Sequence, residues 1–168
     1  MPQDRARPWA LCEGCFVVDV RLAAVNAENW RACVALRVTE HQRRWVADVA
    51  YYLCLCTYGS VWHPLAVEAD GEIVGFLMWG VDDDASRWIG GVIVDVAHQR
   101  RGIARAALTE AIDMLTAQEG CSGVALSFSQ ENRAAHDLYT SLGFEQTGET
   151  TDDGAEVVSR LRNPSVTP

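Results

Sequence analysis

The chain has 168 residues, 49% of them hydrophobic and 22% charged, and carries a formal net charge of −9. That length and balance are those of one soluble domain, expected over residues 13–163, between a flexible N-terminal tail (1–12) and a C-terminal tail (164–168). The acidic balance excludes non-specific nucleic-acid binding. No apolar run is long enough for a membrane span or a signal core, so a cytoplasmic location with no membrane partner is expected.

The six cysteines have no signal peptide beside them, and Cys33, Cys54 and Cys56 lie in apolar helical patterns, which predicts buried, reduced thiols. Cys12 and Cys15 have metal-like spacing, but no second Cys or His pair matches them, so no metal is expected.

In chain order, residues 15–22 are rich in β-formers and predict a first strand. Asn26 is placed to cap a helix over 27–36. Thr39, with Gln42 three positions later, is a capping box that opens a second helix running to Tyr58-Gly59. Asp70-Gly71 is a two-residue hairpin turn between strands at 65–68 and 72–79. Asp82, Asp83 and Asp84 form a loop.

Residues 88–94 predict the central strand, and Gly90-Gly91 inside it marks a bulge or the close approach of a ligand. From Ile103 the apolar period becomes helical. Ile103, Ala104, Ala107, Leu108, Ala111, Ile112 and Leu115 share one face of a helix that reaches about residue 119. A strand at 124–128, a helix at 132–142 stopped by Gly143, and strands at 144–149 and 156–161 complete an α/β chain. The order is β-α-α-β-β-β-α-β-α-β-β. There is no internal repeat or linker.

The most informative stretch is Gln99-Arg100-Arg101-Gly102-Ile103-Ala104. It joins the central strand to a helix, and the first turn of that helix has backbone N–H groups with no intrahelical partner and a positive dipole end. Such an end is an anion site, and Gly102 and Ala104 leave room for a diphosphate to approach the backbone. Arg100, Arg101 and Arg105 add positive charge. The pattern is neither a P-loop nor a dinucleotide-binding G-x-G-x-x-G. On its own it also describes an ordinary strand-to-helix turn with a solvated basic edge.

Gln99-x-x-Gly102-x-Ala104 resembles the acetyl-CoA pyrophosphate loop of the GNAT acetyltransferase superfamily. Downstream, Asn132-x-x-Ala135-x-x-Leu138-Tyr139-x-x-Leu142-Gly143-Phe144 is similar to a second motif of that family, in the expected order. The resemblance spans most of the chain. It implies the GNAT fold, a mixed and mostly antiparallel sheet of six or seven strands with four helices, and acetyl-CoA as co-substrate. It implies that backbone amides of Gln99, Arg100, Arg101, Gly102, Ile103 and Ala104 hold the diphosphate. Backbone groups of Val92 and Val94 would pair with the pantetheine arm, and Tyr139 would be the general acid to the leaving thiolate. Asn132 either contacts the pantetheine or caps its helix. A homodimer is implied on the same ground.

The stretch from Glu28-Asn29-Trp30 through Thr39-Glu40-His41-Gln42 resembles the first two helices of bacterial spermine/spermidine N-acetyltransferases. The expected reaction is therefore direct attack of a primary amine, first among them a polyamine, on acetyl-CoA in a ternary complex. Glu28 and Glu40, where the family builds its acceptor site, and Asp82 and Asp84 are the candidate substrate carboxylates.

An alkyl amine has a pKa near ~10.4, so something must remove its proton. The central strand carries no carboxylate, and water is the default base. The competing readings are an acetyltransferase for a protein N-terminus, a lysine or an aminoglycoside-type drug, and a non-catalytic acetyl-CoA-binding module. His41, His63, His98 and His136 are not at metal-ligand spacing; His98 reads as a solvated loop residue.

Overall fold

A computed structural model describes residues 19–151 and 153–163. Both expected tails, the Cys12/Cys15 pair and the start of the expected first strand lie outside the described residues. Seven strands form one sheet in the order β1-β2-β3-β4-β5-β7-β6, and every pairing is antiparallel except β4 with β5.

β1 (Val20–Ala24) pairs with β2 (His63–Ala69), so the first strand runs two residues beyond the expected end. The chain then turns on two interlocked asparagines. Asn26 Oδ1 accepts from the backbone N–H of Glu28 and Asn29, and Asn29 Oδ1 accepts from Asn26 N at 2.8 Å. Asn26 thus opens a turn, and α1 (Trp30–Ala35) starts later than the sequence predicts.

The expected second helix is two pieces, a 3-10 helix (Glu40–Arg44) and α2 (Val49–Tyr58). Asp48 takes an extended conformation at the start of α2, the position aspartate prefers over a helix interior. Cys54 on this helix is exposed, against expectation, whereas Cys33 and Cys121 are buried; all three are free thiols.

Asp70 and Gly71 both have positive φ, as the tight turn from β2 into β3 (Glu72–Val81) requires. Phe76 and Met78 point to one side of the sheet and Leu77 to the other, so β3 is buried on both faces and reads as one apolar run. α1 and α2 cover the Phe76 face. The opposite face is covered by α3 (Ile103–Thr116), whose Ile103, Ala107, Leu108, Ala111 and Leu115 are buried as their spacing predicts. Burying Ile103, Leu108 and Leu115 contributes about 1.5–3 kcal/mol each. α3 ends three residues before the expected stop.

β4 (Arg87–Val94) and β5 (Gly123–Phe128) pair only at Arg87 with Val124 and Trp88 with Ala125, then separate. The buried guanidinium of Arg87 secures that root. It donates to Gln118 Oε1 at 2.8 Å and to the carbonyls of Ala85 and Glu119.

α4 (Arg133–Ser141) packs Tyr139 beside Phe128 and Phe144, and Gly143 at φ +93° closes it. β6 (Glu145–Thr150) is an exposed edge, joined to the sheet through β7 (Val157–Arg162).

The expected irregularity at Gly90-Gly91 is present as a register shift opposite Phe76 to Met78. Gly91 has φ +60°, and a Cβ there would lie 3.2 Å from the Tyr52 ring. Gly91→Ala should therefore lower stability by about 1–3 kcal/mol in urea denaturation; an unchanged midpoint would contradict this account of the bulge.

Candidate active site

The separation of β4 from β5 opens a cleft of about 570 Å³ through the middle of the sheet. Its β4 wall is Gly90, Gly91, Val92 and Val94, its β5 wall Ser127 and Phe128, and Leu138 and Tyr139 of α4 line it together with Asn132, the α4 N-cap. Past the root, the edges of β4 and β5 that face the cleft have no strand partner, so they offer backbone donors and acceptors to an extended ligand.

One end of the cleft runs to the turn before α3. Arg100 and Gly102 both take left-handed conformations, at φ +60° and +78°, and wind the chain into the helix. Gln99, Arg100 and Ala104 line the cleft. Arg101 and Gly102 are exposed on the same turn, and the Ile103 side chain is buried in the core. Nothing lies within 4 Å of where a Gly102 Cβ would be, so the space beside the helix N-terminus is open. A 14-residue helix beginning at an open, basic turn suits a diphosphate. The chain's own residues thus fit the acetyl-CoA that the sequence implies.

Gln99 does more than bring a backbone amide. Its Nε2 donates to the Val94 carbonyl at 2.9 Å and to Gln42 Oε1 at 3.0 Å, and Gln42 Nε2 donates back at 3.3 Å. Gln42 Oε1 also accepts from Thr39 N at 3.0 Å. The glutamine of the sequence-predicted capping box therefore also ties the 3-10 helix to the turn before α3. Arg105 is drawn away from that turn by a 2.6 Å bond to Ser141 Oγ on α4. Asn132 Oδ1 accepts from Ala135 N at 3.2 Å, so this side chain caps α4 while lining the cleft.

His98 lies in a short 3-10 helix (Val96–His98) with Nδ1 buried and without a hydrogen-bond partner among the described residues, which replaces the solvated loop histidine expected. The Asp95 carboxylate accepts from Ala97 N and Arg37 N, each at 2.9 Å, and braces this segment.

Tyr139 lines the cleft and is only 9% exposed. Its hydroxyl makes no hydrogen bond to the described residues. Burial, then the nearby Glu156 carboxylate and the Tyr52 phenol, push its pKa up to about 12. It is therefore a hydrogen-bond donor throughout the neutral range.

The four expected substrate carboxylates stand elsewhere. Glu28 is an exposed turn residue, and Glu40 points to solvent beside Arg43. Asp82 accepts from Asp83 N at 2.8 Å within its turn. Asp84 is bonded by Ser86 and paired with Arg160 at 3.0 Å; the Ser86 bonds, with the Arg160 charge, hold its carboxyl below the usual range. None of the four lines the cleft.

Sequence reasoning missed Tyr52, Trp62, Trp88, Ser127 and Glu156, which do. Each sits alone in its own stretch of sequence, and only tertiary packing assembles them.

Among the described residues no group of three or more His, Cys, Asp or Glu is placed to hold a metal ion, and no helix is long and apolar enough to cross a membrane.

This geometry has relatives. The chain is 26% identical over 148 residues to a spermine/spermidine N(1)-acetyltransferase of Bacillus subtilis, a match covering 84% of this chain and 97% of that protein. Its fold is shared with the ribosomal-protein-S18-alanine N-acetyltransferase of Escherichia coli, with a TM-score of 0.66, 22% identity, and coverage of 88% of this chain and 96% of that one. It is shared also with a spermidine N-acetyltransferase of Vibrio cholerae solved with CoA and spermine, with a TM-score of 0.66, 17% identity, and coverage of 84% and 92%.

Gly102→Glu places bulk and negative charge in the open space at the start of α3, while Gly102→Ala imposes only the backbone strain of φ +78°. The Glu variant should lose acetyl-CoA binding in calorimetry and the Ala variant largely keep it; equal affinities would sink the role of this turn.

Residues 22–144 match the family model for GNAT acetyltransferases, and with the splayed sheet and its basic turn this places the chain in the acetyltransferase (GNAT) family.

Proposed function

We propose that the chain transfers the acetyl group of acetyl-CoA to a small primary amine, a polyamine first, by direct attack within the cleft. The observation that carries this reading is that one cleft is lined both by Arg100 of the basic turn and by Tyr139. An extended cofactor with its diphosphate at the α3 N-terminus and its arm along Val94 and Val92 would bring its thioester to that hydroxyl. The polyamine preference draws on the relationship to the spermine/spermidine enzyme and on the net charge of −9, which favours cationic ligands over anionic ones.

The reaction asks for stabilisation of the leaving thiolate. A free thiol has a pKa near ~8.5, well below the value of about 12 for Tyr139. Full proton transfer from this phenol is uphill by about 5 kcal/mol. Tyr139 therefore acts by donating a hydrogen bond to sulfur as negative charge grows there, a contribution that costs no reorganisation because the ring is already fixed between Phe128 and Phe144.

At saturating acetyl-CoA, spermidine and spermine should exceed peptides with a free N-terminus and aminoglycosides in kcat/KM when thiol release is followed. Tyr139→Phe should lower kcat by about 10²–10³-fold and leave acetyl-CoA affinity nearly unchanged. A preference for peptides would reject the polyamine acceptor, and full turnover by the Phe variant would make Tyr139 a packing residue.

A further inference from the structure

Among the described residues that line the cleft, Glu156 is the only carboxylate, and Arg100 is the only full positive charge. The two mark different ends. Arg100 belongs to the turn before α3. Glu156 stands immediately before β7, where Val157 pairs with Phe128 at the end of β5.

The face of the sheet to which it belongs follows from β5. Leu126 and Phe128 are buried in the cluster beneath α3 and α4, so Ser127 between them points to the other face, the side covered by α2. Glu156 Oε2 accepts from Ser127 Oγ at 2.6 Å, which fixes the carboxylate on that side. Its backbone is held as well: the carbonyl accepts from Thr151 N at 3.0 Å, and the N–H donates to Thr151 Oγ1 at 3.2 Å. Its charge reaches across the gap, where it contributes to raising both the Tyr139 and the Tyr52 phenols.

Aromatic rings surround the same region. Tyr52 packs over Gly91, Trp62 packs over Gly90, and Trp45 and Trp88 also line the cleft. A carboxylate set among ring faces is a site for an organic ammonium group. The amine can thus enter from the α2 face and meet, through the gap between β4 and β5, a thioester lying beside Tyr139.

We propose that Glu156, oriented by Ser127, is the catalytic residue that receives the acceptor amine and takes its proton. The inference rests on the acetyltransferase reading. The neutral amine, having left its ammonium proton to solvent, forms the N–C bond to the acetyl carbon. The C–S bond breaks, and its electron pair goes to sulfur, which Tyr139 holds by a hydrogen bond. The N–H proton passes to the Glu156 carboxylate. Glu156 then returns that proton to solvent and the thiolate takes one up, so that amine and acetyl-CoA become amide and CoA.

A carboxylate is a weak base toward a free alkylammonium, with a pKa near ~4.3 against ~10.4. It becomes a competent acceptor only as attack turns the nitrogen acidic, so its effect falls on kcat. The same charge attracts the incoming ammonium, so binding senses it too.

The test is Glu156→Gln, which keeps the shape and a hydrogen-bonding group for Ser127 while removing the charge. Binding of n-butylamine, a single ammonium, to the CoA-loaded protein is followed by NMR at the amides of Gly91 and Ser127, and turnover of spermidine by thiol release. Affinity for n-butylamine should fall at least tenfold and kcat should fall by about 10²–10⁴-fold, with acetyl-CoA affinity within twofold of the parent as the check on folding. A kcat within threefold of the parent would overturn the proposal. If the parent itself binds acetyl-CoA yet turns over no amine, the acetyltransferase reading fails. The n-butylamine titration then still decides Glu156: unchanged binding in the Gln variant refutes its place at the amine, and weakened binding upholds it.

Discussion

The site depends on a sheet that is joined at its root and open at its end. Two residue pairs, Arg87 with Val124 and Trp88 with Ala125, hold β4 to β5 before the strands part. A longer ladder would close the cleft, and no ladder would let the two halves of the sheet separate. The root is reinforced by Arg87, two of whose three hydrogen bonds reach the segment after α3, at Gln118 and Glu119, while the third holds the Ala85 carbonyl before β4. Parallel strands need a crossover, and α3 is that crossover. Its N-terminus therefore arrives beside the open end of β4, so the dipole-positive end of the helix and the splayed edge are products of one connection.

From this gap the two faces of the sheet acquire different duties. α3 and α4 cover one face and bring the basic turn and Tyr139. α1 and α2 cover the other, and Tyr52 and the Trp45 ring, which follows the 3-10 helix, line the cleft from there. The Gln42–Gln99 amide pair couples the two sides, because one glutamine stands on the 3-10 helix and the other on the turn that meets the cleft. Gly90 and Gly91 let ring systems of the second side approach the β4 backbone where the strands diverge. Tyr139, which packs beside Phe128 on one side of the sheet, and Glu156, held by Ser127 on the other, both line the opening between β4 and β5.

Elements with strong local signals were legible in the sequence. The Asp70-Gly71 turn, the apolar face of α3, the Gly143 stop and the Gly90-Gly91 irregularity stand where spacing places them, and the strand order follows the expected course. Errors cluster where local signals compete. Thr39 and Asp48 are both helix-start residues within the one expected helix, and the chain uses both positions, which splits it. Asn26 and Asn29 bond each other's turn instead of capping a helix at Ala27, and α1 begins only after Asn29. The basic turn before α3 was legible because its residues are contiguous. The rest of the cleft lining was not, because Tyr52, Trp62, Ser127 and Glu156 come from four separated segments. The acidic run at Asp82 to Asp84 attracts attention in the sequence, yet Asp84 is engaged with Ser86 and Arg160.

The gap between β4 and β5 is proposed to receive acetyl-CoA as an added strand ending at Tyr139. Amide hydrogen exchange of the protein with and without CoA tests it most directly. The account predicts new protection confined to Val92, Val94 and the first turn of α3 from Ile103 to Arg105, with the Arg87–Trp88 root unchanged because it is already paired. Protection elsewhere on the surface, with Val92 and the α3 turn exchanging as in the free protein, would contradict it.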